Sequence, residues 1–395
     1  MQTRPSEKLW NANYRKLWSA NFMMFFSFML LTPLLPLYLS ETFGAGKETI
    51  GIVLSGYTLT AMIMRALSGY LVDTFPRRLV LLAGYALFAL FFVGYLAAGS
   101  LLVFAAVRTL HGAPFGVATI ANSTSAIDVL PSSRRTEGIG YYGLSNNVAT
   151  AIGPTVALAL YGAFHSYRLL FLLSLLFAGI GLLIDWTLKL PVRPTVRGKQ
   201  PLSLDRFFLL QGWSQGLVTL CCGCAYGVVS TYIAIYGKEE LGITGGTGLF
   251  FMLLAIGLVL SRLTGSRTLR QGRIVQNATL GLLVSTGGYL LFAALHNLWG
   301  YYGAALIIGL GNGHLFPALQ TMFINLAAND RRGTANSTLY VSWDVGIGIG
   351  TFAGGSVAEY CGFHTAFWTA LGVNLLGVAI FFLLARGLFL QQRLR

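Results

Sequence analysis

The sequence predicts an all-α integral membrane protein, with twelve transmembrane helices in two pseudo-twofold-related six-helix bundles. Three observations carry this reading. First, 55% of the 395 residues are hydrophobic and only 10% are charged, against roughly 25% charged in soluble domains. With a mean hydropathy of +0.67, the chain has too few charges to cover a water-exposed surface. Second, twelve apolar stretches approach the roughly 20 residues that cross a hydrocarbon core of about 30 Å as helix. Third, displacing the chain against itself by 197 residues brings its polar landmarks into coincidence. Gly112 meets Gly309, Gly116 meets Gly313, Arg134 and Arg135 meet Arg331 and Arg332, and Gly153 meets Gly350. A period of half the chain is too long for a solenoid unit and reads as a duplicated bundle.

The expected spans are 17–39, 49–71, 79–98, 100–128, 139–164 and 167–188 in the first copy. In the second they are 208–236, 247–266, 277–295, 299–326, 335–358 and 364–389. Runs of this length without two-residue alternation exclude a barrel, the other architecture that lipid tolerates. Between the copies, PVRPTVRGKQPLSLD from Pro191 to Asp205 has the Pro, Gly and polar content of a linker. The domain reading is therefore 1–190, a linker at 191–207, and 208–395.

The net charge of +14 does not signal nucleic acid, because the basic residues fall in alternate loops. One set holds Lys8, Arg15, Lys16, Arg77, Arg78, Arg134, Arg135, Lys189, Arg193, Arg197, Lys199, Arg206, Arg267, Arg270, Arg273, Arg331, Arg332, Arg386, Arg393 and Arg395, whereas the opposite loops hold only Lys47, Arg168 and Lys238. By the positive-inside rule both termini are cytoplasmic, and an even number of spans requires them to share a side. The first apolar run is too long for a signal peptide and no small-residue cleavage site follows it. With the compact loops, this points to a bacterial inner membrane. Cys221, Cys222 and Cys224 lie inside the seventh span and Cys361 stands alone, so they read as small buried residues rather than as a disulfide framework or a metal site. Gly309-Leu-Gly311-Asn-Gly313 and Gly346-Ile-Gly348-Ile-Gly350 follow no strand and are close-packing surfaces for helices, not nucleotide loops.

Four motifs carry a family resemblance. Between spans 2 and 3 the chain reads Gly69-Tyr-Leu-Val-Asp73-Thr-Phe-Pro76-Arg77-Arg78, which resembles the major facilitator loop signature G-x-L-x-D-x-x-G-R-R with Pro76 in place of a glycine. Span 4 carries Arg108-Thr-Leu-His111-Gly112, similar to the family's R-x-x-x-G. Span 5 has Gly153-Pro154 with Ala149 and Ala157 outside it, resembling the antiporter signature G-x-x-x-G-P-x-x-G. Span 11 repeats the glycines as Gly346, Gly350 and Gly354 without the proline. The chain thus resembles major facilitator transporters, and more particularly their twelve-span drug/proton antiporter branch. The resemblance implies two halves of like orientation that rock around a midplane site, and a conformational latch at Gly69, Asp73, Arg77 and Arg78. The second-half loop, Gly265 to Arg273, lacks the aspartate, so such a latch is one-sided.

Charge inside lipid costs about 2.5–3.5 kcal/mol on insertion scales and marks function by default. Counting about 1.5 Å per residue, Arg108 lies roughly 12 Å into span 4 and Asp344 roughly 14 Å into span 11. They are the opposite charges nearest mid-depth. A carboxyl withdrawn from water favours its protonated form, so Asp344 is the candidate carrier of a coupling proton. Arg108 would tune it or bind an anionic substrate group, and the plain alternative is a static ion pair. Arg65 is a rival partner for Asp344. Asn21, Asn122, Asn147, Trp213, Tyr232, Gln320 and Trp343 are cavity candidates, each with interhelical hydrogen bonding or packing as its ordinary explanation. Asn122 is about 21 Å along the helix from Arg108, too far for one small ligand to bridge. Asp185, with Trp186 and Lys189, reads as an interface anchor.

The resulting expectation is proton-coupled export of a small, partly apolar organic compound, since 13% aromatic residues and few intramembrane charges suit such a substrate. Its partners are that substrate, protons and the bilayer, in a monomer with no cofactor, metal or nucleic acid. Two readings stay open: proton-coupled uptake of a sugar-like or organic-acid solute, and a non-transporting receptor or scaffold. No nucleophile, base and orienting group gather at helical spacing, so the sequence does not read as an enzyme.

Overall fold

A computed structural model describes residues 8–45, 47–190, 206–243 and 248–394, without the side chains of 46–48, 51, 262–267, 269 and 270. Most of the expected linker, with Arg193, Arg197 and Lys199, therefore lies outside the described residues, as do the side chains of Lys47, Arg267 and Arg270. The described residues are helical with no strand. They divide into two compact units, Met1–Leu202 and Ser203–Arg395.

The first unit holds α1 (Ala12–Met29), α2 (Leu35–Phe43), α3 (Lys47–Thr74), α4 (Arg77–Ala97), α5 (Leu101–Val129), α6 (Arg135–Phe164) and α7 (Tyr167–Trp186). Polar caps set several starts. The side chains of Asn11, Ser100 and Ser166 accept from the amides of Tyr14, Val103 and Leu169, satisfying donors that the first turn leaves open. The expected span 17–39 is broken into α1 and α2, with turn geometry from Leu30 to Leu34. Pro33 and Pro36 explain the break: neither has an N–H to donate, and Pro36 is tolerated because it lies at the start of α2. Within the unit α3 packs on α5, α4 on α5 and α7, and α1 on α6 and α7. The core is aromatic, with Tyr85, Phe88, Phe92, Tyr95 and Phe104 buried together.

The second unit holds α8 (Trp213–Glu239), α9 (Gly248–Arg270), α10 (Ile274–Ala294), α11 (Leu298–Leu326), α12 (Arg332–Ile380), a π-helical turn Phe381–Ala385 and α13 (Arg386–Gln392). α8 packs on α12, and α11 on both α9 and α10. The run α12 contains two legs, because Gly362 adopts φ 83° and ψ 162° inside it; this conformation suits a residue without Cβ. The expected spans 335–358 and 364–389 flank that break.

The sequence period reappears in the backbone. α4 and α10, and α5 and α11, start and end at positions offset by 197. The short 3₁₀ turns Ser132–Arg134 and Asn329–Arg331 share that offset. Glycines do matching work in the two copies. A Cβ on Gly112 would press on the Tyr57 carbonyl of α3, and one on Gly309 on the Leu254 carbonyl of α9.

Among the described residues, eight helical stretches are long and apolar enough to cross a bilayer, the last of them containing both legs of α12. α9 contributes only the shorter apolar piece Gly248–Ser261, and α11 is diluted by Gly309-Leu-Gly-Asn-Gly-His314. Side chains such as Leu102, Leu183, Phe352 and Leu383 remain more than two-thirds exposed. Such surfaces suit lipid rather than water.

Candidate functional site

In the first unit Arg108 occupies the second turn of α5 and is 4% exposed. Its guanidinium lies 4.2 Å from the ring centre of Tyr57 on α3 and 5.3 Å from that of Phe28 on α1. One amino group donates to the Tyr95 hydroxyl of α4 at 3.4 Å. Four helices thus meet at one cation. Among the described residues no carboxylate pairs with Arg108, and its Nε has no hydrogen-bond partner. The stacked rings contribute cation–π attraction, about 0.5–2 kcal/mol per ring when desolvated. They leave part of the guanidinium's fork unused.

The aromatic layer continues beyond Arg108. Phe28 stacks on Tyr57 at 4.9 Å and on Phe115 at 5.2 Å, and the Arg65 guanidinium lies 5.5 Å from the Phe115 ring. Arg65 also donates from Nε to Thr119 Oγ1 at 3.4 Å. Two arginines therefore flank a slab of three rings. His111 is fully buried beside it, among Phe88, Phe91, Phe92 and Tyr95. Tyr95 accepts from Arg108, so its own proton is free to go to His111 Nδ1 at 2.9 Å.

The loop residues form a buried ion cluster. Arg77 contacts Asp73 at 3.3 Å and pairs with Asp128 at the far end of α5. All three are nine-tenths buried or more. The cluster ties the end of α3, the start of α4 and the end of α5. Arg78 donates to the Trp186 carbonyl of α7 at 2.9 Å. Gly69 is buried just upstream. Asp128 was not singled out as Arg77's partner, because nothing along the chain shows that the end of α5 meets this loop.

Asn122 does not join Arg108. Its Oδ1 accepts from Tyr142 of α6 at 2.8 Å, and its Nδ2 donates to Asp185 of α7 at 3.2 Å. Asn21 donates to Ser145 at 2.7 Å, and Asn147 is half-buried on α6. The interface-anchor reading of Asp185 is overturned: the side chain is 0% exposed, inside the bundle. Trp186 beside it, at 64%, and Lys189 are exposed. Helical spacing alone hid this, since consecutive residues point about 100° apart. Gly153 faces α1, where a Cβ would meet Met29, and Pro154 follows it inside α6.

In the second unit Asp344 is half-buried on α12. Its neighbour Trp343 lies between the rings of Tyr226, at 5.7 Å, and Phe316, at 5.6 Å. Gly346 and Gly350 bring α12 against the backbone of α8 at Leu220 and Cys224. Tyr232 donates to the Thr351 carbonyl at 2.6 Å, and Gln320 to Asn336 Oδ1 at 2.6 Å. Both are thus held by hydrogen bonds within the unit. Trp213 begins α8 and is 51% exposed.

Comparison with known proteins places this geometry. The Major Facilitator Superfamily profile matches residues 17–328 and 278–388. The chain is 24% identical over 378 residues to the staphylopine export protein of Staphylococcus aureus, covering 91% of this chain and 92% of the relative. It is 22% identical over 379 residues to the quinolone resistance protein NorA of the same species, covering 91% and 92%. Among solved structures, the human organic anion transporter MFSD10 superposes with a TM-score of 0.79 at 19% identity, covering 95% of this chain and all of that one. The E. coli fucose:proton symporter FucP superposes with a TM-score of 0.79 at 16% identity, covering 96% and 99%. These likenesses show the fold. The chain belongs to the Major Facilitator Superfamily, and is accordingly a multi-pass membrane transporter rather than an enzyme.

Proposed function

We propose that this transporter exports a small, partly apolar organic compound carrying an anionic group, in exchange for protons, by alternating access. Twelve passes place both termini in the cytoplasm, in a bacterial inner membrane, and the protein works as a monomer. The observation that carries the substrate reading is Arg108: a buried guanidinium on an aromatic slab, without a carboxylate partner among the described residues. A carboxylate-bearing aromatic compound fits both features, because its anion takes the open fork and its ring joins the stack. Export is favoured over uptake because the relatives are named for export and for quinolone resistance. Asp344 is the residue assigned to the coupling proton, and Gly69, Asp73, Arg77 and Arg78 to the latch.

Counterflow in proteoliposomes tests the substrate class. Aromatic carboxylates should exchange, the matching aromatic amines should not, and Arg108→Ala should abolish the preference. Equal exchange of both classes by the wild type would overturn it.

A further inference from the structure

The first unit contains a second acid that the scheme above does not use. Asp185, one residue before the end of α7, is wholly buried. Its Oδ2 accepts one hydrogen bond, from Asn122 Nδ2 at 3.2 Å, and its Oδ1 has no partner among the described residues. Two cations that reach the end of α7 from other helices serve other acceptors. Arg78 donates to the Trp186 carbonyl at 2.9 Å, and Lys16 to the Thr187 carbonyl at 3.0 Å. They neutralise the negative end of α7, and among the described residues the carboxyl has no ion pair. An ionised carboxylate with a single amide donor and no counter-ion is too costly to bury.

The hydrogen bonds around it have a fixed sense. Tyr142 of α6 gives its proton to Asn122 Oδ1, which obliges the Asn122 amide to aim Nδ2 at Asp185. Tyr85 of α4 gives its proton to the Ala20 carbonyl of α1 at 2.8 Å. Donors run from α6 through α5 to α7 and stop at Asp185, so the open place for a proton is Oδ1. Among the described residues Asn122 of α5 and Tyr85 of α4 face the carboxyl, with Tyr142 of α6 behind Asn122 and Arg78 of α4 and Lys16 of α1 at the end of α7, and none of them is an acid.

We infer that Asp185 is a second proton-carrying carboxyl of this transporter, holding its proton in the conformation seen here and releasing it when water enters beside α6. The step is a simple ionisation: the Oδ1–H bond breaks, the electron pair stays on the carboxylate, and the proton passes to water at the basic end of the unit. Water entering beside α6 supplies the release, because it solvates Oδ1 while Tyr142 keeps the Asn122 amide turned towards the carboxylate. The inference rests on proton-coupled transport, and the experiment separates the two.

The full-length chain is reconstituted in liposomes as wild type, Asp185→Asn, Asp185→Glu and Tyr142→Phe, with a carboxylated quinolone as probe. Under a gradient of about one pH unit, each coupled proton sustains about a tenfold concentration ratio. Asp185→Asn should therefore accumulate about tenfold less quinolone while its gradient-free counterflow stays near wild type, and Asp185→Glu should restore part of the loss. Infrared pH titration needs no substrate. The carbonyl band of a neutral acid should be present in the wild type, lose intensity in Asp185→Asn, and shift in frequency in Tyr142→Phe, which alters the hydrogen bond that the carboxyl accepts. A band that does not titrate, or wild-type gradient response in Asp185→Asn, makes Asp185 a static hydrogen-bonding group and overturns the inference. Counterflow without any gradient response in the wild type overturns proton coupling itself, and this inference with it.

Discussion

Replacing Gly112 by alanine adds one carbon where α5 crosses α3. That Cβ would lie 2.9 Å from the Tyr57 carbonyl carbon and closer still to its oxygen. Ordinary contact begins near 3.4 Å, so the two helices must part by at least about 0.5 Å, and rigid backbone is what must move. Overpacking of this kind costs about 1–3 kcal/mol. For a unit of this size each kcal/mol shifts the melting temperature by roughly 2–4 °C, so a loss on the order of 5 °C is expected. The repeat makes the same forecast for Gly309→Ala, whose Cβ would lie 2.8 Å from the Leu254 carbonyl carbon. Gly179→Ala is the control, because a Cβ there meets nothing within 4 Å. Thermal unfolding in detergent can be followed by the labelling of Cys221, Cys222 and Cys224, which are buried in the folded protein. If Gly112→Ala and Gly309→Ala melt with the Gly179→Ala control, the argument that these glycines set the helix approach is wrong.

Asp128→Asn strips one anion from the buried Arg77 cluster. Breaking such a pair costs about 3–5 kcal/mol, and less here because Arg77 keeps Asp73. Adding Arg77→Gln should recover part of the loss, which a double-mutant cycle by thermal unfolding would show. Arg108→Lys keeps the charge but gives up the planar stack on Tyr57 and Phe28. Each ring contact is worth about 0.5–2 kcal/mol, so the counterflow KM for an aromatic carboxylate should rise about tenfold with modest change in stability. Tyr95→Phe removes the hydroxyl shared by Arg108 and His111. A buried hydrogen bond to a charged group is worth about 1.5–3 kcal/mol, and unfolding measurements should return a loss in that range.

Much of the fold was legible because lipid imposes length and hydropathy on every spanning helix. The repeat was legible because glycines and arginines must recur where two copies make the same contacts, as Gly112 and Gly309 do. Less was legible where the answer lay between helices. The importance of Arg108 could be read from the cost of its charge, but not its partners, because Phe28, Tyr57 and Tyr95 come from three other helices. Asp128 and Asp185 were misjudged or passed over for the same reason: at the end of an apolar span, a buried acid and a solvated one look alike along the chain. The break at Pro33 was visible as a residue but was overridden by the apolar run around it.

The central claim is that an inward flow of protons drives substrate out through this chain. Proteoliposomes of wild type and Asp344→Asn, given a carboxylated quinolone and an acidic lumen, test it most directly in molecules inserted with the cytoplasmic face outward. The account predicts concentrative uptake by the wild type that collapses when the gradient is discharged, and exchange without concentration by Asp344→Asn. Accumulation that survives discharge, or that is undiminished in Asp344→Asn, would contradict it.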